Sequence, residues 1–212
     1  RAGMISSGVA TNYMDKQPEL IQSNFYWHSG VQVGAIADLS IRKFLAIEVG
    51  LFWERHGYDA AMMAATAEED YMGSQFTRVR YNDIHIPVLM SWRFNILPQA
   101  VWSVDLGPYF SYGLSGTKKA DSYIAFGEED GQLVFDHNIS NQKYFKADPK
   151  DFLAVNRFDA GLKVGTGLAF FSHYTISVYY QRSVKNNAKD FDGGADYRLR
   201  NCSWSVNIGY NF

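Results

Sequence analysis

The residues with the widest chemical range in this chain are five histidines, His28, His56, His85, His137 and His173. An imidazole titrates near neutral pH and binds metals through either ring nitrogen. No two of the five stand at a zinc-ligand spacing, so no metal site is expected. An Asp–His pair with a bound water or a serine would carry out general acid–base chemistry. His56 and His137 fall near loop ends, and Asp192 is a possible acidic partner. Nothing in the sequence fixes such a pair, so no catalytic residue and no cofactor is assigned. The run Asp-Phe-Asp-Gly-Gly-Ala-Asp at 190–196 spaces carboxylates as a calcium loop does. It lacks the twelve-residue frame and the final bidentate Glu, and reads as a solvated loop. Glu68-Glu69-Asp70 reads as a solvated charge run. Cys202 is the one cysteine, so a disulfide or a cysteine-rich zinc site within the chain is excluded.

The other candidate group is six charged residues, Glu48, Glu54, Arg93, Asp105, Asp159 and Lys163. What they can do depends on the elements that carry them. At the C-terminus Cys202, Trp204, Val206, Ile208, Tyr210 and Phe212 share one parity, and Asn201, Ser203, Ser205, Asn207, Gly209 and Asn211 the other. Side chains alternate across a strand, so this is a strand with one apolar and one polar face. The pattern recurs near residues 31–39, 45–54, 83–94, 102–114, 158–168 and 174–181, with a weaker strand near 1–10. All six charges fall on the polar parity. Strands of about 9–11 residues are long enough to cross a bilayer when tilted.

About eight such strands are joined alternately by short turns, at 40–44, 95–100 and 172–173, and long loops, at 12–27, 58–79 and 117–156. Short turns at one end and long loops at the other are the pattern of an outer-membrane barrel. The fold expected is all-β: a closed antiparallel up-and-down transmembrane barrel of eight strands, with short periplasmic turns and long extracellular loops. Residues 1–212 read as a single domain. Within the loop 117–156, residues 122–126 and 132–136 flank a Gly-rich acidic turn and read as a hairpin above the membrane; inserted into the wall, it would make ten strands. Pro87 and Pro108 each remove a ladder donor and are expected to mark bulges.

Alternation alone does not distinguish a membrane barrel from a soluble lipocalin-like one. Three features favour the membrane. The polar face mixes charge with glycine, as at Gly161, Lys163 and Gly165, which suits a narrow interior filled by side chains. Glycines there are expected to leave room for long charged residues opposite. Trp and Tyr gather near strand ends, as interfacial girdles do. The chain ends on Phe212 in the apolar parity. Glu48, Glu54, Asp105 and Asp159 would then be offset inside by Arg93 and Lys163, a structural network rather than an ion path.

The segments Asn82–Leu89 (NDIHIPVL), Leu106–Tyr112 (LGPYFSY), Arg157–Leu162 (RFDAGL) and Ser205–Phe212 (SVNIGYNF) resemble the PorT-like outer-membrane barrels of Bacteroidetes. The resemblance implies an eight-stranded barrel made with a cleaved signal peptide and residing in the outer membrane of a Gram-negative bacterium. The type member acts in protein secretion, a role that fold alone does not transfer. The ending Trp204, Tyr210 and Phe212 fits an insertion signal read by the barrel-assembly machinery.

Composition narrows the partners. Lys plus Arg number 20 and Asp plus Glu 22, for a net charge of -2, so no broad basic surface for nucleic acid is expected. No apolar run approaches the length of a membrane helix. The chain opens at Arg1 without an initiator Met, so an N-terminal segment is expected to have been removed or to be absent. The loop 117–156 carries Tyr123, Phe126, Phe135, Tyr144 and Phe145. Aromatics anchor interfaces, so this loop is the candidate surface for a protein partner; the competing reading is a loop packed on itself. The sequence therefore points to a monomeric, non-enzymatic protein in the lipid bilayer, with a partner at the loops or the periplasmic end. A small outer-membrane enzyme and a soluble ligand-binding barrel are the alternatives.

Overall fold

In the computed structural model the described residues are 1–12, 20–66, 71–129, 132–146, 153–189 and 197–212. They form β1 (Ala2–Thr11), β2 (Leu20–Arg42), β3 (Leu45–Thr66), β4 (Tyr71–Leu97), β5 (Ala100–Glu129), β6 (Gln132–Lys143), β7 (Phe158–Phe170), β8 (Tyr174–Ser183) and β9 (Leu199–Tyr210), with one 3-10 turn at Tyr144–Lys146. All neighbours pair antiparallel. The order β4-β3-β2-β1-β9-β8-β7-β5 closes on itself through β4–β5. The ring has eight strands. β6 lies outside it and, among the described residues, pairs only with the upper half of β5, so the hairpin adds no strands to the wall.

The apolar parity faces outward. Met4, Val33, Leu51, Leu162, Ile176, Val206 and Ile208 are all exposed, while Glu48, Glu54, Asp105, Asp159 and Lys163 are buried. A soluble barrel would show the opposite, and exposed apolar area on this scale needs lipid to cover it. Aromatics rim the band: Trp102, Tyr174 and Tyr210 at the short-turn end, and Trp53, Tyr112, Phe158 and Trp204 toward the other.

Two features depart from the sequence expectation. The stretches 20–27, 58–66, 71–79 and 117–129 are not loops but continuations of β2, β3, β4 and β5, which reach 23, 22, 27 and 30 residues. At about 3.3 Å per residue, β5 runs on the order of 100 Å. It extends far past β7, whose 13 residues suffice for the membrane. Alanines on both faces at 60, 61, 64 and 65 conceal the period of two there. Secondly, Pro87 and Pro108 make no bulge. Pro87↔Tyr109 and Met90↔Leu106 are in phase, as are Val49↔Val88 and Phe52↔His85. The strands pass each proline without a register change, helped by Gly107, where a Cβ would collide with the Val88 carbonyl oxygen. In the β4–β5 ladder the register shifts lie at Asn82/Asp83 and Asn95/Leu97 instead, and others lie between β2 and β3 and between β5 and β6, away from both prolines.

The β7–β8 turn places Phe171 and Ser172 both at positive φ, 51° and 63°. The last pair is Phe170↔Tyr174, so residues 171–173 connect the strands, and the His173 N–H donates to the Phe170 carbonyl oxygen at 3.1 Å. Phe171 and Ser172 are the central pair of that β-turn, a conformation that favours glycine. Ser172→Gly is therefore expected to raise stability by about 1 kcal/mol, read as a higher urea midpoint for barrel folded into lipid vesicles; an unchanged or lower midpoint would show that the turn carries no strain.

Candidate functional site

Inward parity delivers the polar side chains to the lumen, where they sort into three tiers. At the periplasmic end, Arg93 Nη2 lies 3.0 Å from Glu48 and also pairs with Asp38, while Arg1 reaches Glu48 at 3.1 Å. Asp105 has no cation partner among the described residues. It accepts hydrogen bonds from the Tyr179 hydroxyl (2.9 Å) and from Ser91 (2.6 Å).

The middle tier is the densest. Glu54 and His56 stand two apart on β3, opposite Asp83 and Tyr81 of β4. Glu54 takes His56 at 2.9 Å, Gln181 at 3.3 Å and Lys163 at 3.9 Å. Asp83 lies 3.4 Å from the same His56 nitrogen. Lys163 also approaches His85 Nε2 at 3.4 Å and sits 5.7 Å over the Phe52 ring and 5.2 Å over that of Tyr179. In the third tier Asp159 accepts from Ser183 (2.6 Å) and Asn201 (2.9 Å).

Above the tiers lies an apolar lid. Tyr58, Val79, Tyr81, Tyr144, Phe145, Leu153, Tyr197 and Leu199 form one buried cluster. His56 stacks on Tyr81 (5.2 Å between centroids) and Tyr81 on Tyr144 (5.3 Å), so the lid continues directly from the middle tier. The Tyr58 and Tyr144 hydroxyls meet at 3.1 Å. Burial pushes both phenols well above their usual range.

The six charged residues read from sequence thus occupy three separate tiers. Two of the four carboxylates, Asp105 and Asp159, are held by hydroxyl and amide donors, not by Arg93 or Lys163. The interior glycines also have another role. A Cβ at Gly50, Gly161 or Gly165 would strike the ring of Phe52, Tyr109 or Tyr179, so they make room for aromatic rings, not for charged chains. Sequence reasoning missed Arg1, His56, Asp83 and His85 as members of the lumen network. The signal was present: Glu54-x-His56 and Asp83-x-His85 repeat an acid–imidazole pair two apart, on one strand face.

Of the aromatics read as a loop surface, Tyr144 and Phe145 are buried in the lid and unavailable to a partner. Tyr123 and Phe135 are exposed. The Phe126 side chain, and residues 68–70 and 190–196 with Asp192, lie outside what the structure describes. Trp204, Tyr210 and Phe212 all point outward from the C-terminal end. His137 is exposed, pairs with Asp121 at 2.6 Å and stacks on Tyr123; it is far from His56 in register.

Chemically, donor atoms of Glu54, His56 and Asp83 lie within 4.8 Å of one another. Lys163 already places a positive charge against Glu54. A cavity of about 30 Å³ remains between His56, Asp83, His85, Tyr109 and Asp159, room for on the order of two waters.

The family described as "Outer membrane protein beta-barrel domain" matches residues 1–189. A comparison with curated proteins gave no match. Among solved structures, the chain is similar to Ail, the attachment invasion locus protein of Yersinia pestis, at 13% identity and a TM-score of 0.35, covering 100% of this chain and 95% of that one. It is also similar to Ail in complex with the heparin analogue sucrose octasulfate, at 15% identity and a TM-score of 0.33, covering 100% and 98%. A third is the neisserial surface protein A, at 9% identity and a TM-score of 0.30, covering 100% and 94%.

Proposed function

The chain belongs to the outer membrane protein beta-barrel domain family, and from that premise we propose that it is a plugged, non-enzymatic barrel that presents its β4–β6 extension to a protein partner outside the cell. The observation that carries the plug is the lumen itself: three tiers of buried charge beneath an aromatic lid, with a residual cavity of about 30 Å³. An eight-stranded wall encloses only enough space for side chains. The partner surface rests on one face of the extension. Met72↔Ala125↔Phe135, Ser74↔Tyr123↔His137 and Phe76↔Asp121↔Ile139 are successive cross-strand rows. In them Met72, Tyr123, Phe135 and Ile139 are each more than half exposed. Such a patch, well above the lipid, marks an interaction site.

The lipid-facing C-terminal Trp204, Tyr210 and Phe212 support recognition by the barrel-assembly machinery. The PorT-like segments support an origin in a Bacteroidetes-type outer membrane and a cleaved leader. They also favour a second reading, in which the periplasmic end serves secretion. The protein acts as a monomer.

Planar-bilayer recording tests the plug. The folded protein is expected to give no conductance steps; steady channels from the wild type would overturn it. For the surface, a photo-crosslinker at position 135 is expected to capture a protein in intact cells, and to lose it when Tyr123 and Ile139 become Ser. Capture indifferent to those changes would sink the docking reading.

A further inference from the structure

We propose that the outer wall where β3, β4, β5 and β6 meet binds the phosphate of a glycolipid headgroup in the outer leaflet. The site is a groove of about 540 Å³ carrying Arg55, Arg80, Lys143, Lys146 and Arg157, with no carboxylate among its described lining residues. Five cations in one groove, on a chain whose net charge is -2, is a strong local asymmetry.

The topology makes the groove. β5 pairs with β7 up to Tyr112↔Phe158 and with β6 from Thr117↔Lys143 upward. Residues 113–116 fall between the two partners, and the bulge at Asn82/Asp83 sits at this level. Two guanidinium groups are held in place at the edges. Arg157 donates to the Gly113 and Leu114 carbonyl oxygens, at 2.8 and 3.1 Å, and lies 5.3 Å over the Phe145 ring. Arg80 is fixed by Asp59 at 2.7 Å and the Tyr58 carbonyl oxygen at 3.1 Å. Arg55, Lys143 and Lys146 are exposed. A fixed guanidinium fork matches phosphate oxygens, and mobile ammonium groups complete the charge.

Height decides the source of the phosphate. On β3, β4 and β7 the outward residues Trp53, Ile84 and Phe158 are the last apolar ones below the groove, and on β5 Tyr112 and Leu114 are. Arg55 and Asn82 are the next outward positions, about 7 Å further along the strands. Cations one step beyond an aromatic girdle stand at the depth of lipid headgroups. Acyl chains would lie along the aromatic girdle while the phosphate enters the groove. This inference rests on the membrane placement and not on the partner surface.

The test uses barrel folded in phosphatidylcholine nanodiscs, titrated by native mass spectrometry with diphosphorylated lipid A, the dephosphorylated lipid, and inorganic phosphate. Diphosphorylated lipid A is expected to bind at least tenfold more tightly than either of the others. Arg55→Gln with Lys143→Gln and Lys146→Gln should remove that preference, while Lys43→Gln at the opposite rim leaves it intact; retained heat-modifiability establishes that each variant is folded. Equal retention of the two lipids, or no change in the triple variant, overturns the proposal. Inorganic phosphate binding as tightly as the lipid overturns the lipid source and leaves a free-phosphate site.

Discussion

Lys163→Met is expected to cost the folded barrel about 3–5 kcal/mol, the usual penalty for leaving one partner of a buried ion pair alone. Lys163 is the cation that the structure places against Glu54, a carboxylate with no exposed surface. The ammonium is also enclosed by the Phe52 and Tyr179 rings. Methionine keeps most of the stem and its ring contacts, so packing changes little and the loss reports charge. Glu54 would retain His56 and Gln181, which places the effect toward the lower end of that range. Adding Glu54→Gln removes the orphaned charge and is expected to recover more than half of the loss. Urea unfolding of barrel folded into lipid vesicles, followed by tryptophan fluorescence, gives both numbers. A single-variant cost under about 1 kcal/mol, or a double variant no better than the single, would mean that the middle tier is not held by this pair.

How much of this was legible in the sequence depends on which periodicity survived. Where one parity is Trp204-Val206-Ile208-Tyr210 and the other Ser203-Ser205-Asn207-Gly209, the strand and both its faces are explicit. The membrane assignment followed, because charge on a narrow inner face and aromatics at strand ends point the same way. In the extensions the pattern fails: Ala60-Ala61 and Ala64-Ala65 are equally small on both faces, so β3 looked like a loop, yet its ladder with β4 runs unbroken to Thr66↔Tyr71. The lumen was legible as a list of charges but not as pairs. Pairing depends on the register of strands distant in sequence, such as Glu54 with Lys163, and no local pattern encodes it. The prolines were misread for a related reason. A missing donor predicts a gap in the ladder, but whether the strands slip depends on the partner, and Gly107 lets β5 close on β4 without slipping.

The lid shows what the aromatic count alone concealed, and it yields the second large effect. Tyr144→Ala is expected to destabilise the extracellular end by about 3–5 kcal/mol, the range for removing a fully buried aromatic. Tyr144 is stacked on Tyr81, edge-on to Tyr58, and bonded to the Tyr58 hydroxyl. Tyr144→Phe keeps the ring and loses the hydroxyl contact, so it should cost only about 1 kcal/mol. The consequence is local, because the 3-10 turn at Tyr144–Lys146 and the β6 strand before it are joined to the ring through this cluster and through β5, and not through the membrane wall. Cleavage that follows the population of an open form rises with the opening constant. Trypsin should therefore cut Tyr144→Ala near Lys143 and Lys146 at least about a hundredfold faster than wild type, while the cleaved barrel still runs as a folded band when unheated. Loss of that band together with cleavage would mean that the lid holds the whole ring. Unchanged cleavage would mean that the β5–β6 ladder alone secures the extension, with the aromatic cluster only filling space above the lumen.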